Sequence, residues 1–575
     1  MKRLLQYFKG YQKESILGPV FKLCEALLEL TVPMIVARVI DEAIPSGETS
    51  QVLRYIFLMI VVGLVGFILA ITAQYYSAKA AVGFTRQLNN DLFKKIMALP
   101  QAEVDKNSPA SLVNRMTSDT FQMQTGVNIF FRLFLRSPFI VIGSLVMAMQ
   151  IESRVALIFT TMIILLFVVV GGILKLTSPM FTNVRKRLDH LVQLTRQQVK
   201  GMRVIRAFRQ EAREIEEFKS TNQHLNHEQL KAANGSVLTN PLTYVIVNIC
   251  LVLIIWQGSQ WVNVGSLTQG GLVALVNYLL QILVELIKLT MVISTMNKAM
   301  TSAKRVVEVF NLEDEATTFE QIAVTNPQSL YEFNQVQFYY PNTQAPALEQ
   351  LNFTINKGDF FGIIGSTGSG KSTLIELLTK NYDPTAGQIS VNSQLLKTDT
   401  RSELRESIAL VPQLATLFKG TVRSNLLLAN PDASEEAMWQ ALKVAQADDF
   451  IKEKYGLDTK VEAFGRNFSG GQRQRLTLAR ALVKEAEIYI FDDSTSALDY
   501  LTEANFQKAL QEHFADKTII MISQRPHSVL KANQILVLNE GKQIGLGTHA
   551  QLLVECPIYR EIDQSQKVAE VKEDE

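Results

Sequence analysis

Apolar residues run in long blocks through the first half of this chain and in short, turn-bounded blocks through the second. A bilayer core takes about 20 mostly apolar residues per helix. Six stretches meet that pattern: Ile16–Ile40, Tyr55–Tyr75, Leu133–Met149, Val155–Leu174, Leu242–Gly258 and Leu272–Ile293. The third and fifth are short, and each is expected to extend a turn or more. Six such runs in series argue for membrane spans over buried soluble helices. The short links Ile44–Val52 and Gln257–Gln269 lack Lys and Arg. The two long links are rich in both, the first from Lys79 to Arg115, the second from Arg185 to Arg213. Positive charge marks the cytoplasmic side. Both long links, both termini and the second half of the chain are therefore expected in the cytoplasm.

The long links are not loops in composition. Val82–Leu99 and Val184–Phe208 keep helical apolar spacing with almost no Gly or Pro. Membrane helices are expected to continue into the cytoplasm and turn at short tips, placed near Pro109–Asp119 and Gln210–Asn222. Met1–Gly10 lacks a small-residue cleavage site and reads as an amphipathic helix on the membrane surface. The expected boundaries are a membrane domain over 1–302, a linker over 303–328, a soluble α/β domain over 329–566 and a disordered charged tail over 567–575.

Charge inside an apolar span is costly and marks pairing or function. Lys22, Glu25 and Glu29 share one face of the first span. Asn277, Gln281, Glu285 and Lys288 form a polar stripe in the sixth. Glu25, Glu29, Gln281 and Glu285 are candidates to line a cavity and attract cationic amphiphiles, with ion pairing between helices as the alternative. Arg132 and Arg136, at the start of the third span, are expected to snorkel to the headgroups. The net charge of +2 gives no reason to expect nucleic acid. Cys24, Cys250 and Cys556 are too scattered for disulfides or a metal cluster.

The second half carries the chemistry. Asp359–Ile364 reads as a buried strand, and Ser372–Leu378 opens a helix. Between them lies Gly365-Ser366-Thr367-Gly368-Ser369-Gly370-Lys371-Ser372. Strand, Gly-x4-Gly-Lys-Ser and helix is the context of a phosphate-binding loop. Backbone N–H groups and the helix N-terminus, including Thr373, face phosphate oxygens. Lys371 reaches the terminal phosphates and the Ser372 hydroxyl suits Mg2+. A second buried strand, Ile488–Phe491, ends in Asp492, a carboxylate placed for the Mg2+ shell. Between these elements, Ser469-Gly470-Gly471-Gln472 opens another helix with an anion-ready N-terminus.

With Ser469–Gln472 in place the chain resembles an ATP-binding cassette (ABC) protein, and six spans ahead of one cassette resemble a bacterial exporter half-transporter. The resemblance implies an all-α six-helix membrane domain fused to an α/β, RecA-like P-loop domain, the type IV exporter architecture. It implies ATP and Mg2+ as ligands and a transport ATPase in a cell membrane. By resemblance Tyr340 stacks adenine, Gln413 contacts Mg2+ and senses the membrane domain, and Asp499 lies on the loop that crosses the dimer interface. Two positions depart from the family. Asp493 stands where a Glu polarises the attacking water, and Gln524 stands where a His senses phosphate. Asp is one methylene shorter, and Gln cannot carry an imidazolium charge. Val461-Glu462-Ala463-Phe464-Gly465 replaces the family's Val-Gly-Glu-Arg-Gly, which puts the usual coupling contact in doubt.

In this family each ATP lies between one chain's phosphate loop and the other's signature. A homodimer would carry both substitutions at both sites. The pattern resembles heterodimeric multidrug exporters: a weak site here and a partner half-transporter with intact Glu and His. Alternatives are a homodimeric lipid or peptide exporter and an ATP-gated or regulatory subunit. Met1 is followed almost directly by the expected membrane-surface helix, which disfavours a peptide-processing exporter with an N-terminal protease domain, and the fusion disfavours an importer.

Overall fold

The computed structural model describes residues 2–314, 329–341, 343–392, 394–395 and 401–573. The chain divides into two compact units: 1–97 with 110–311, and 98–109 with 312–575. Most of the expected linker, 315–328, lies outside the described residues.

The first unit is helical. Among the described residues, five helices are long and apolar enough to cross a membrane: Thr49–Met97, Pro109–Ile151, Ser153–Lys200, Glu211–Asn263 and Gln269–Phe310. The helix Gln12–Arg38 is shorter, and Lys22, Glu25 and Glu29 interrupt its apolar run. Four helices run well beyond their apolar stretches, as the link composition predicts. The last continues to Phe310, past the expected boundary at 302. The unit's core gathers Leu30, Ile140, Phe159, Ile254, Tyr278 and Ile282 from five helices. Within it the Tyr278 hydroxyl donates to the Leu30 carbonyl at 2.7 Å. Large apolar side chains such as Phe57, Ile68, Leu157 and Val252 stay exposed on the outer faces, as lipid contact requires.

The N-terminal segment Lys2–Phe8 is helical, as a 3-10 helix, with Leu4 and Tyr7 buried and Leu5 exposed. Tyr7 is buried, with its ring near Phe84 and Phe310, and Phe8 stacks on Phe84 at 4.7 Å. Aromatic packing holds this segment to the helical unit.

Both tips fall earlier in the chain than expected. The first is Gln101–Asn107, set between Pro100 and Ser108-Pro109. Pro100 cannot continue the preceding helix, and Ser108 takes φ +56°. The second is Met202–Ala207, entered at Gly201 and left at Arg209 with φ +52°.

The second unit is built on a ten-stranded sheet. Five neighbouring strands are parallel, in spatial order Gln534–Asn539, Phe360–Gly365, Thr518–Ser523, Ile488–Asp492 and Ile408–Val411. Strands buried on both faces read as continuous apolar runs, and successive residues feed opposite cores. Ile488 and Ile490 enter one apolar cluster, and Tyr489 and Phe491 the other. Ile520 and Ile522 follow the first pair, and Ile519 and Met521 the second. The antiparallel strands Ser329–Phe338, Leu348–Asn356 and Ala386–Val391 extend the sheet. The tail expected to be disordered is helical through Glu573, in Pro557–Glu573.

Candidate functional site

Four of the five parallel strands deliver the candidate residues to one edge of the sheet. Phe360–Gly365 runs into the glycine loop, Thr518–Ser523 into Gln524, Ile488–Asp492 into Asp493, and Ile408–Val411 toward Gln413. These strands are parallel neighbours, so their carboxyl ends form one crevice, the usual ligand position in open α/β sheets.

The loop's glycines meet two distinct needs. A Cβ at Gly365 would lie 2.3 Å from the Leu538 carbonyl oxygen. Gly368 and Gly370 take φ +81° and +102°, left-handed values that favour glycine. Gly370 caps the helix Lys371–Leu378, on which Ser372 and Thr373 occupy the first turn. Lys371 Nζ donates to the Gly365 and Ser366 carbonyls at 2.7 Å each and approaches Ser369 Oγ at 3.4 Å. Burial lowers the Lys371 pKa, while Asp493 and Asp492 oppose that shift.

Asp492 and Asp493 stand side by side. Burial raises the Asp492 pKa to about 6, the Asp493 charge adds to it, and the Gln413 backbone N–H and Lys371 act against it. Asp493 is 8% exposed and also raised, chiefly by burial. Its backbone takes φ +45°, uncommon for a residue with a side chain. The Asp493 N–H donates to Ile522 O at 2.9 Å, and the Ser496 hydroxyl to Asp493 O at 2.8 Å. Two amides converge on the Asp493 carboxylate: Gln524 Nε2 at 3.3 Å and Gln413 Nε2 at 3.5 Å. Thr367 Oγ1 reaches Gln524 Oε1 at 3.4 Å. The three residues named from sequence as departures or sensors thus form one contiguous group.

Tyr340 is half-buried, and its hydroxyl lies 3.3 Å from Thr373 Oγ1. The signature sits at the start of the helix Gly470–Val483. Ser469 Oγ accepts from the Gln472 N–H, and Gln472 Oε1 accepts from the Ser469 N–H at 3.1 Å, a reciprocal cap. Ser469 and Gly470 are exposed, and a Cβ at Gly470 would meet open space. Asp499 caps Tyr500–His513, accepting from the Thr502 N–H at 2.9 Å; that bond lowers its pKa. In Val461–Gly465, Phe464 takes φ +60° and is exposed.

The membrane candidates sort differently. Arg136 does not snorkel. It is 6% exposed and pairs with both Glu29 and Glu285, the latter at 2.7 Å. Glu285 is 1% exposed and also accepts from Ser137 at 2.7 Å and Lys288 at 2.9 Å. Glu285 is thus a buried ion-pair residue between helices, not a cavity-facing group. Glu25 pairs with Lys22, and Gln281 Oε1 accepts from Ser144 at 3.4 Å. Glu29 keeps a 41% exposed side chain while paired. Cys250 and Cys556 are buried and Cys24 is half-buried; all three are free thiols. Sequence reasoning missed Ser137, Asp105 and Tyr382, since no local motif links them to their partners.

Comparison with known proteins follows the same division. Residues 15–286 match the ABC transporter transmembrane region, and residues 348–496 match the ABC transporter family. The chain is 33% identical over 574 residues to an uncharacterized ABC transporter ATP-binding protein of Mycobacterium tuberculosis (strain CDC 1551 / Oshkosh), covering 98% of each chain. It is 31% identical to the uncharacterized ABC transporter ATP-binding protein YfiB of Bacillus subtilis (strain 168), again over 98% of each. It is 28% identical to an ATP-dependent lipid A-core flippase of Yersinia pestis bv. Antiqua (strain Antiqua), over 98% of this chain and 97% of that one. A solved structure of a bacterial Atm1-family ABC exporter with ATP bound superposes with a TM-score of 0.81 at 23% identity, over 96% of this chain and 98% of that one. The chain belongs to the ABC transporter family, as a membrane-spanning exporter half-transporter whose ATP-binding domain makes it a transport ATPase.

Proposed function

We propose that this chain is one subunit of a heterodimeric, ATP-driven exporter of hydrophobic or amphipathic compounds. Its own site holds ATP and hydrolyses it weakly, and its signature completes the working site of a partner half-transporter that has Glu and His. The observation that carries this reading is the pairing of Asp493 with the Gln524 and Gln413 amides. Phosphoryl transfer depends mainly on positioning and charge. A shortened carboxylate held between two neutral amides is poorly placed to orient an attacking water. The exposed, self-capped signature remains fit to meet a phosphate.

In this reading Tyr340 stacks adenine, and Gly365 to Thr373 hold the phosphates through backbone N–H groups and Lys371. Ser372, Gln413 and Asp492 would hold Mg2+. The donor set fits the ion: a hydroxyl, an amide and a carboxylate are hard oxygen ligands. Two adjoining buried carboxylates also leave negative charge for a cation to neutralise. When bound, Mg2+ supplies charge neutralisation at the terminal phosphates. Asp499 lies on the interface loop. Ser469 and Gly471 serve the partner's ATP. The Lys- and Arg-rich links support a cytoplasmic location for the ATP-binding domain and both termini.

The test uses the purified chain with and without a candidate partner in lipid. Alone, it shows little ATPase activity. In the complex, replacing the partner's catalytic Glu abolishes efflux of a cationic dye, whereas Asp493→Ala only reduces it. Equal loss from both changes would overturn the asymmetry. A lipid substrate is the second reading, favoured by the flippase relative. Stimulation of the ATPase by lipids and not by dyes would select it.

A further inference from the structure

The tip Gln101–Asn107 belongs to the same compact unit as the nucleotide-binding sheet. Ala102 packs against the apolar cluster that holds Phe338 and Tyr382. The Tyr382 hydroxyl donates to Asp105 Oδ2 at 2.9 Å, and Gln101 Nε2 donates to Asp105 Oδ1 at 2.9 Å. Tyr382 is 9% exposed.

Its ring joins a triad. Tyr382 meets Tyr340 at 5.5 Å and 79°, Tyr382 meets Phe338 at 5.5 Å and 70°, and Phe338 meets Tyr340 at 5.0 Å and 82°. Three mutually edge-on rings fix one another's orientation. The backbone ties Tyr382 to the phosphate loop as well. The N–H groups of Asn381 and Tyr382 both donate to Glu376 O, on the helix that begins at Lys371. Tyr340 reaches that same helix through Thr373. The connection is continuous: tip carboxylate, phenol, aromatic triad, phosphate-loop helix.

We propose that Asp105 and Tyr382 are positioning residues through which the tip sets the seat of the adenine ring on Tyr340. The proposal rests on the assignment of Tyr340 as the adenine-stacking residue. The tip lies between two helices of the membrane unit, Thr49–Met97 and Pro109–Ile151. A tip that withdraws Asp105 releases the Tyr382 hydroxyl and lets the triad turn, which weakens base stacking and leaves the phosphate cradle intact.

Full-length purified chain is titrated with ATP and with inorganic tripolyphosphate, which lacks the base. Tyr382→Phe keeps the ring and its volume; Asp105→Ala removes the acceptor. Each weakens ATP binding about 3- to 10-fold, the scale of one lost hydrogen bond, and leaves tripolyphosphate unchanged. The double variant binds ATP no more weakly than the weaker single one, since both act through one bond. Unchanged ATP affinity in both single variants, or equal loss for tripolyphosphate, would overturn the proposal. So would losses that multiply in the double variant. Tyr340→Ala separates the two readings. If it leaves the ATP-to-tripolyphosphate ratio unchanged, the adenine assignment fails. If it lowers that ratio while Tyr382→Phe and Asp105→Ala do not, only the positioning role fails.

Discussion

Replacing Arg136 with Met tests whether the buried charges of the helical unit hold it together. Arg136 lies between Glu29 and Glu285, and Glu285 is 1% exposed. Met keeps most of the volume and removes the charge. Breaking a buried pair from one side costs about 3–5 kcal/mol, because the remaining charge is left uncompensated. Glu285 keeps Ser137 and Lys288, at 2.7 and 2.9 Å, so the cost falls at the low end, about 3 kcal/mol. Glu285→Gln in the same background removes the stranded charge and keeps an acceptor for Ser137. The double variant should recover about 2 kcal/mol relative to the sum of the single changes. The assay is the apparent melting temperature of the purified chain in detergent, read by intrinsic fluorescence. A loss of about 3 kcal/mol lowers it by on the order of 5 °C in a unit this large. The reasoning fails if Arg136→Met melts with the parent, or if the double variant melts below both single ones.

Other outcomes follow from the nucleotide site. Asp492 has a raised folded pKa of about 6, from burial and then Asp493, against an ordinary 3.8. Its stability contribution is therefore fully present below the unfolded value and is lost as pH rises through about 6. Asp492→Asn should raise the nucleotide-free melting temperature at pH 7, show a smaller gain near pH 4, and weaken Mg2+-dependent ATP binding. Gly365→Ala drives a Cβ against the Leu538 carbonyl, and equilibrium titration should show ATP binding lost. Ser469→Ala removes a reciprocal cap worth about 1 kcal/mol. It should lower turnover in the complex while this chain's own ATP affinity stays as it was.

Much of this was legible because local chemistry demands local sequence. The glycine loop needs left-handed backbone at Gly368 and Gly370, so the motif announces itself. The parallel strands are buried on both faces, so Ile488–Phe491 and Ile519–Ile522 stand out as apolar runs. The tips lie earlier than composition suggests because apolar spacing continues through the turns. Pro100, Ser108-Pro109 and Gly201 mark the breaks, and backbone chemistry there outweighed composition. The role of Arg136 is not legible in the sequence because a cation at a span end suits headgroups equally well. Only the fold brings Glu29 and Glu285, from two other helices, to it. The Asp105–Tyr382 bond joins residues 277 positions apart, beyond any local pattern. The left-handed turn at Asp493 is likewise set by its bonds to Ile522 and Ser496.

The central claim is that the site around Asp493 holds ATP without promptly cleaving it. The direct measurement loads the purified chain with ATP labelled on the terminal phosphate, removes free nucleotide, and quenches in acid over time. The account predicts that nucleotide bound here is recovered as ATP over many minutes. Recovery as ADP and phosphate within seconds would contradict it.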